Sequence, residues 1–230
     1  PRLVKERGRL LAVADAHSAT GNTGQILVEN LVQAYYRQQE SNLGEALREA
    51  IHEANQQTAR TLATPGSSST LVAGVLWEQQ FYLANIGSNR AYLLRDGQLN
   101  LLTRDHVDAD GHRARSLVDD PLAAPDLYRP LQLQAGDRLL LCSDGLYRSL
   151  QATTLARSTT RGDARQAVEQ LLSQASKADG AGEISAIVVR VPGQKESLRP
   201  GFSTVEIAGL ALLILLALAQ VVLLIQQWSG

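Results

Sequence analysis

The chain has 230 residues, with 22 Lys plus Arg against 23 Asp plus Glu and a net charge of −1. That balance excludes a nucleic-acid binder built on basic excess and a strongly acidic solvating tail, while 44% hydrophobic residues are enough to bury a domain core. A single cysteine, Cys142, excludes an internal disulfide and suits a reducing compartment, and a chain without methionine that opens on proline is expected to have residues upstream of Pro1.

From the N-terminus, residues 9–14 form an apolar run that stops at Asp15 and reads as a strand. Residues 24–38 carry Ile26, Leu27, Leu31, Val32 and Tyr35 at helical spacing, and residues 43–62 carry Leu43, Ala46, Leu47, Ala50, Ile51 and Ala54 likewise. Strands are expected at 69–76, 80–86 and 90–95, and Asp96-Gly97 then signals a two-residue hairpin turn into a return strand over 98–102. Residues 107–128 form a loop holding Asp108, Asp110, His112, Asp119 and Asp120, which reads as a solvated acidic segment. Residues 138–142 form a further strand, with Cys142 inside it as a small buried hydrophobe. A helix over 163–175 follows, capped by Asp163, and then a β-branched strand over 183–191. Strands around two adjacent helices predict an α+β sandwich rather than a βαβ repeat.

The domain is expected to span 1–191 and the linker, broken by proline and glycine, 192–204. A transmembrane helix is expected over 205–227. Within it, residues 207–225 are 19 residues without a charge. As a helix they would extend roughly 28 Å, close to the hydrocarbon thickness of a bilayer. Lys195 and Arg199 precede it and no cation follows, so the positive-inside rule places the domain in the cytoplasm, at a single-pass cell-membrane anchor.

Two apolar strands run into an acid, LLAVADAH at Asp15 and LLLCSDGLY at Asp144. Either acid alone reads equally as a turn residue or helix cap, but two acids on neighbouring strand ends form the oxygen-donor set that a hard divalent cation takes. The blocks LLAVADAH, GSSSTLVAGVLW, ANIGSNRAYLLRDGQLNLLTRDH, LQAGDRLLLCSDGLY and GEISAIVVRV follow one another over about residues 9–191. In that order they resemble the metal-dependent serine/threonine phosphatases (PPM, or type 2C).

The resemblance implies two antiparallel sheets between pairs of helices. It also implies a metal pair, Mg²⁺ or Mn²⁺, that activates water for attack on a phosphate ester. By resemblance, Asp15 is the acid that bridges the metals, Ala16 offers its backbone carbonyl, Asp144 is a second metal acid, and His17 protonates the leaving alkoxide. The pattern departs from the family at four places. Ala16 stands where the family has a glycine, Ser18-Ala19-Thr20 replaces a glycine pair, Ser88 stands where GDSR has its aspartate, and Gly182-Glu183 replaces Asp-Asn. Glu183 or Asp179 is then the candidate substitute ligand, while Arg104-Asp105-His106 is retained as a structural motif.

Two functions stay open on these residues. One is a membrane-anchored phosphatase acting on phosphoserine and phosphothreonine in a phosphoprotein, opposing a cognate kinase. The other is a pseudophosphatase that binds a phosphoprotein or kinase without turnover. No nucleic-acid partner is expected.

Overall fold

The computed structural model describes residues 2–17, 22–62, 66–108, 110, 114–178 and 183–192. The chain divides into Pro1–Val191 and Pro192–Gly230, and of the second unit only Pro192 is among the described residues. The rest of the expected linker and the expected transmembrane helix over 205–227 therefore lie outside them. Among the described residues, no helix is long and apolar enough to cross a membrane.

The chain opens with helix α1 (Arg2–Arg7), strand β1 (Arg9–His17) and the helices α2 (Thr23–Arg37) and α3 (Leu43–Leu62). Strands β2 (Ser68–Trp77), β3 (Gln80–Ile86), β4 (Arg90–Arg95) and β5 (Gln98–Leu101) follow, then the two-residue strands β6 (Asp126–Leu127) and β7 (Leu131–Gln132). Strand β8 (Arg138–Cys142) leads into helices α4 (Asp144–Ser149), α5 (Ala152–Thr160) and α6 (Ala164–Ala175), and strand β9 (Ala186–Arg190) closes the fold. All pairing is antiparallel. One sheet runs β1-β2-β3-β6 with β7 also on β3, and the other runs β5-β4-β8-β9.

Alternation along each strand builds four layers, because successive side chains leave opposite faces. Leu10, Ala12 and Ala14 of β1, with Leu71, Ala73 and Val75 of β2, pack against α2 and α3. The intervening Leu11, Val13 and Val72 face the second sheet and meet Leu93, Leu139 and Leu141 there. Leu140 and Cys142 turn the other way, onto Leu155 of α5 and Leu171 of α6. Both faces of the central strands are thus apolar, so β2 and β8 read as nearly unbroken hydrophobic runs.

Local chemistry fixes the ends of the elements. Asp163 accepts the Gln166 backbone N–H at 2.8 Å while the Gln166 side chain accepts the Asp163 N–H at 3.2 Å, a capping box that starts α6 one residue after the expected cap. Asp96 and Gly97 have φ of 51° and 77°, the two positive values that a type I′ hairpin turn requires. Strand β1 runs past residue 14 to His17, because Asp15, Ala16 and His17 pair with Thr70, Ser69 and Ser68. Strand β9 starts at Ala186 rather than 183, where its pairing with Cys142 begins.

Candidate active site

Asp15 lies on the same face of β1 as Leu11 and Val13, by the two-residue repeat, and so points towards the second sheet. It is 8% exposed. From the opposing sheet, β8 ends at Cys142, Ser143 follows and Asp144 is the first residue of helix α4. The two acids share one rim of the sandwich. Asn89 enters β4, whose Arg90 pairs with Cys142, and its side-chain amide reaches Val13 O at 3.1 Å and Thr70 O at 3.2 Å.

Hydroxyl groups tie down this rim. The Asp15 carbonyl accepts from Ser69 Oγ at 3.1 Å and from Thr70 Oγ1 at 3.4 Å. Ser69 is also bridged to Leu117 through both backbone groups, so the loop after β5 closes against the start of β2. Across the rim, Ser143 Oγ donates to Glu183 O at 3.1 Å and accepts the Ser185 N–H at 3.0 Å. That stitching brings Glu183 alongside Asp144 and leaves its side chain exposed. The Asp144 carboxylate is 23% exposed and faces Arg148 Nε at 3.5 Å, one helical turn on.

Ala16 sits in β1 opposite Ser69, and His17 ends the strand opposite Ser68. The His17 side chain, Ser18-Ala19-Thr20, Asp179 and Gly182 lie outside what the structure describes. Among the described residues, no group of three or more His, Cys, Asp and Glu could hold a metal ion. Asp15 and Asp144 are the candidate acids that the structure describes, and the Glu183 backbone is tied to Ser143, the residue before Asp144.

The turn Gly87-Ser88-Asn89-Arg90 is packed behind the rim. Ser88 is 3% exposed; its carbonyl accepts from Tyr147 Oη at 3.0 Å, while its Oγ has no hydrogen-bond partner. The Arg90 guanidinium lies 3.7 Å over the Tyr147 ring and grips Asp105 with contacts of 2.9 and 2.7 Å. That hydrogen bond raises the Arg90 pKa, and burial pushes the Tyr147 phenol up to about 12 against the lowering influence of Arg90. His106 Nδ1 accepts the Gly87 N–H at 3.1 Å, so its Nε2 carries the proton and donates to Asp126 Oδ2 at 2.9 Å. Partial burial raises the Asp126 carboxyl, but Arg115 and His106 outweigh it and hold the group below the usual carboxylate range. Asp105 and His106 thus hold turns together, the structural role expected for Arg104-Asp105-His106.

Residues 3–187 match the protein phosphatase 2C family. The chain belongs to that family. Among curated relatives, the serine/threonine protein phosphatase PstP of Mycobacterium tuberculosis is 27% identical over 207 residues, covering 80% of this chain and 40% of PstP. The chain thus spans less than half the length of that relative. Among solved structures, the PPM Ser-Thr phosphatase MsPP of Mycobacterium smegmatis, in complex with cacodylate, superposes with a TM-score of 0.70 at 26% identity. The match covers 79% of this chain and 88% of MsPP. The catalytic domain of PstP in complex with two manganese ions gives a TM-score of 0.68 at 25% identity, over 78% of this chain and 86% of that one.

Within this protein phosphatase 2C fold, Asp15 lies near the end of β1 and Asp144 opens α4 just past the end of β8. Asn89 and Tyr147 escaped the sequence reading. An asparagine in a turn is explained locally by turn chemistry, and nothing in its spacing marks a side chain that reaches the other sheet.

Proposed function

We propose that this chain is a metal-dependent protein phosphatase that hydrolyses phosphoserine and phosphothreonine esters of a phosphoprotein. What supports this reading is the match to the protein phosphatase 2C family over residues 3–187, with Asp15 near the end of β1 and Asp144 at the start of α4 as the candidate acids. Two carboxylates and a backbone carbonyl are the hard oxygen donors that Mg²⁺ or Mn²⁺ takes. In this reading Asp15, the Ala16 carbonyl and Asp144 hold the cation, with Glu183 and Asp179 as further candidate ligands. Bound there, the cation supplies Lewis acidity towards a phosphoryl oxygen and offsets the charge of the ester.

The chain's own residues do the rest. Burial and the β1–β2 ladder fix the Asp15 carboxylate, so it needs little reorganisation when a ligand arrives. Arg148 restrains Asp144 and offsets part of the negative charge at the rim. His17 is the candidate proton donor to the departing serine or threonine oxygen, as an imidazole of ordinary pKa near 6.5 suits.

The proposal includes a single-pass membrane anchor over 205–227, with the domain on the cytoplasmic side. It rests on the uncharged run 207–225 and the cations Lys195 and Arg199 before it. A cognate serine/threonine kinase would then act on the same phosphoproteins. Binding without turnover is not favoured, because the relatives above are all described as phosphatases.

The test is release of phosphate from a phosphothreonine peptide by the full chain with Mn²⁺. Turnover is expected to fall to the metal-free level in Asp15→Asn and in Asp144→Asn. Unchanged turnover in both variants would refute the reading.

A further inference from the structure

The Ser88-Asn89 turn has one attachment to each acid-bearing element. On one side, the Asn89 side-chain amide donates to Val13 O, two residues before Asp15, and to Thr70 O, the partner of Asp15 across the ladder. On the other, the Ser88 carbonyl accepts from Tyr147 Oη, three residues after Asp144 on α4. Asn89 is fully buried, and two carbonyl acceptors on its nitrogen settle which end of the amide points where.

The turn is itself held from three directions. Gly87 is clamped by His106, whose backbone N–H donates to the Gly87 carbonyl and whose Nδ1 accepts the Gly87 N–H, and Arg90 stacks on Tyr147 while gripping Asp105. A side chain that makes two buried hydrogen bonds across a sandwich fixes a separation, not merely a fold. We infer that Asn89 and Tyr147 are positioning residues, joined through the Ser88–Asn89 backbone, that set the spacing of the Asp15 and Asp144 carboxylates.

This inference rests on the metal reading above for its consequence, though not for its geometry. A cation shared by two carboxylates from different sheets binds tightly only at one separation. Either variant that loosens the bridge loses affinity even though no metal ligand changes. Removing a group that orients ligands costs roughly 10- to 100-fold in metal affinity. Because Asn89 and Tyr147 act in series through one turn, breaking both should cost little more than breaking the worse of the two.

The experiment titrates Mn²⁺ calorimetrically into the full chain and into Asn89→Ser, Tyr147→Phe and the double variant. Asp137→Asn, at the opposite rim, serves as the stability control, and Asp15→Asn as the control for the metal site. The same variants, without metal, are followed by amide hydrogen exchange over residues 13–16 and 143–147. Each single variant is expected to weaken Mn²⁺ binding roughly tenfold or more, the double variant to match the worse single one, and Asp137→Asn to bind as the parent does. Exchange should quicken on both segments in either single variant, including the mild Tyr147→Phe. Losses that multiply in the double variant, or exchange that quickens only next to the mutated residue, would overturn the inference. Unchanged Mn²⁺ binding in Asp15→Asn would instead overturn the metal reading, and the exchange data alone would then decide on the bridge.

Discussion

Gly87 offers a quantitative test of how tightly the β3–β4 turn is built. Its φ is +95°, and a Cβ placed on it would run into the side chain of Thr70 on β2. Gly97, in the hairpin turn, has φ of +77° but open space around it. Replacement by alanine therefore costs backbone strain at both positions and steric overlap at only one. Strain for an L-residue in this region is roughly 1–2 kcal/mol, and overpacking a well-packed site adds roughly 1–3 kcal/mol. Gly97→Ala should then lose about 1–2 kcal/mol of unfolding free energy and Gly87→Ala about 2–5 kcal/mol. Urea unfolding of the two variants beside the parent measures both losses. Equal losses would refute the Thr70 overlap, and a Gly87→Ala loss below about 0.5 kcal/mol would refute the strained turn altogether.

Two further outcomes follow from the ion pairs around the sandwich. Asp137 accepts Arg95 at 2.9 and 2.6 Å and the Gln134 N–H at 2.7 Å; burial raises its carboxyl, but these partners outweigh burial and hold it below the usual range. A carboxyl lowered by folding stabilises fully above its unfolded pKa near 3.9 and loses that contribution as pH falls through the folded value. Asp137→Asn should therefore flatten the acid limb of unfolding free energy below about pH 4, and an unchanged slope there would refute the pairing. Arg90→Lys keeps the charge but loses the two-pronged grip on Asp105 and the stack on Tyr147, and should cost about 1–3 kcal/mol in thermal unfolding. A melting profile like the parent's would mean that neither contact contributes.

Sequence alone located the elements whose periodicity is strong. The spacing in 43–62 matches α3 at both ends, as do 80–86, 90–95 and 138–142 for β3, β4 and β8. Helix α5, reading ATTLARSTT, was missed because three of its nine residues are buried and two of those are Ser158 and Thr159, leaving Leu155 as the one apolar mark. Strands β6 and β7 are two residues each and are defined by pairing with β3, a long-range fact with no local signature. At the candidate site, the strand ends that carry Asp15 and Asp144 were legible, but the extent of β1 was not. The apolar run ends at residue 14, and only the pairing of Asp15, Ala16 and His17 with Thr70, Ser69 and Ser68 of β2 carries the strand further. Ser88 was read as standing in place of an acid, and nothing in the sequence marked the contact of its backbone carbonyl with Tyr147.

Drawing the acid pair from two sheets also has a consequence for how the protein is made. Asp15 belongs to the first strand, while Asp144 follows β8, whose neighbours β4 and β9 lie on either side of it in the chain. During synthesis, β1, α2, α3, β2 and β3 leave the ribosome as a near-complete half, with one carboxylate displayed on an unfinished face. The second carboxylate reaches that face only after β8 has paired with β4 and the two sheets have closed on each other. The rim is thus a product of both sheets, and neither half of the chain carries the two acids alone.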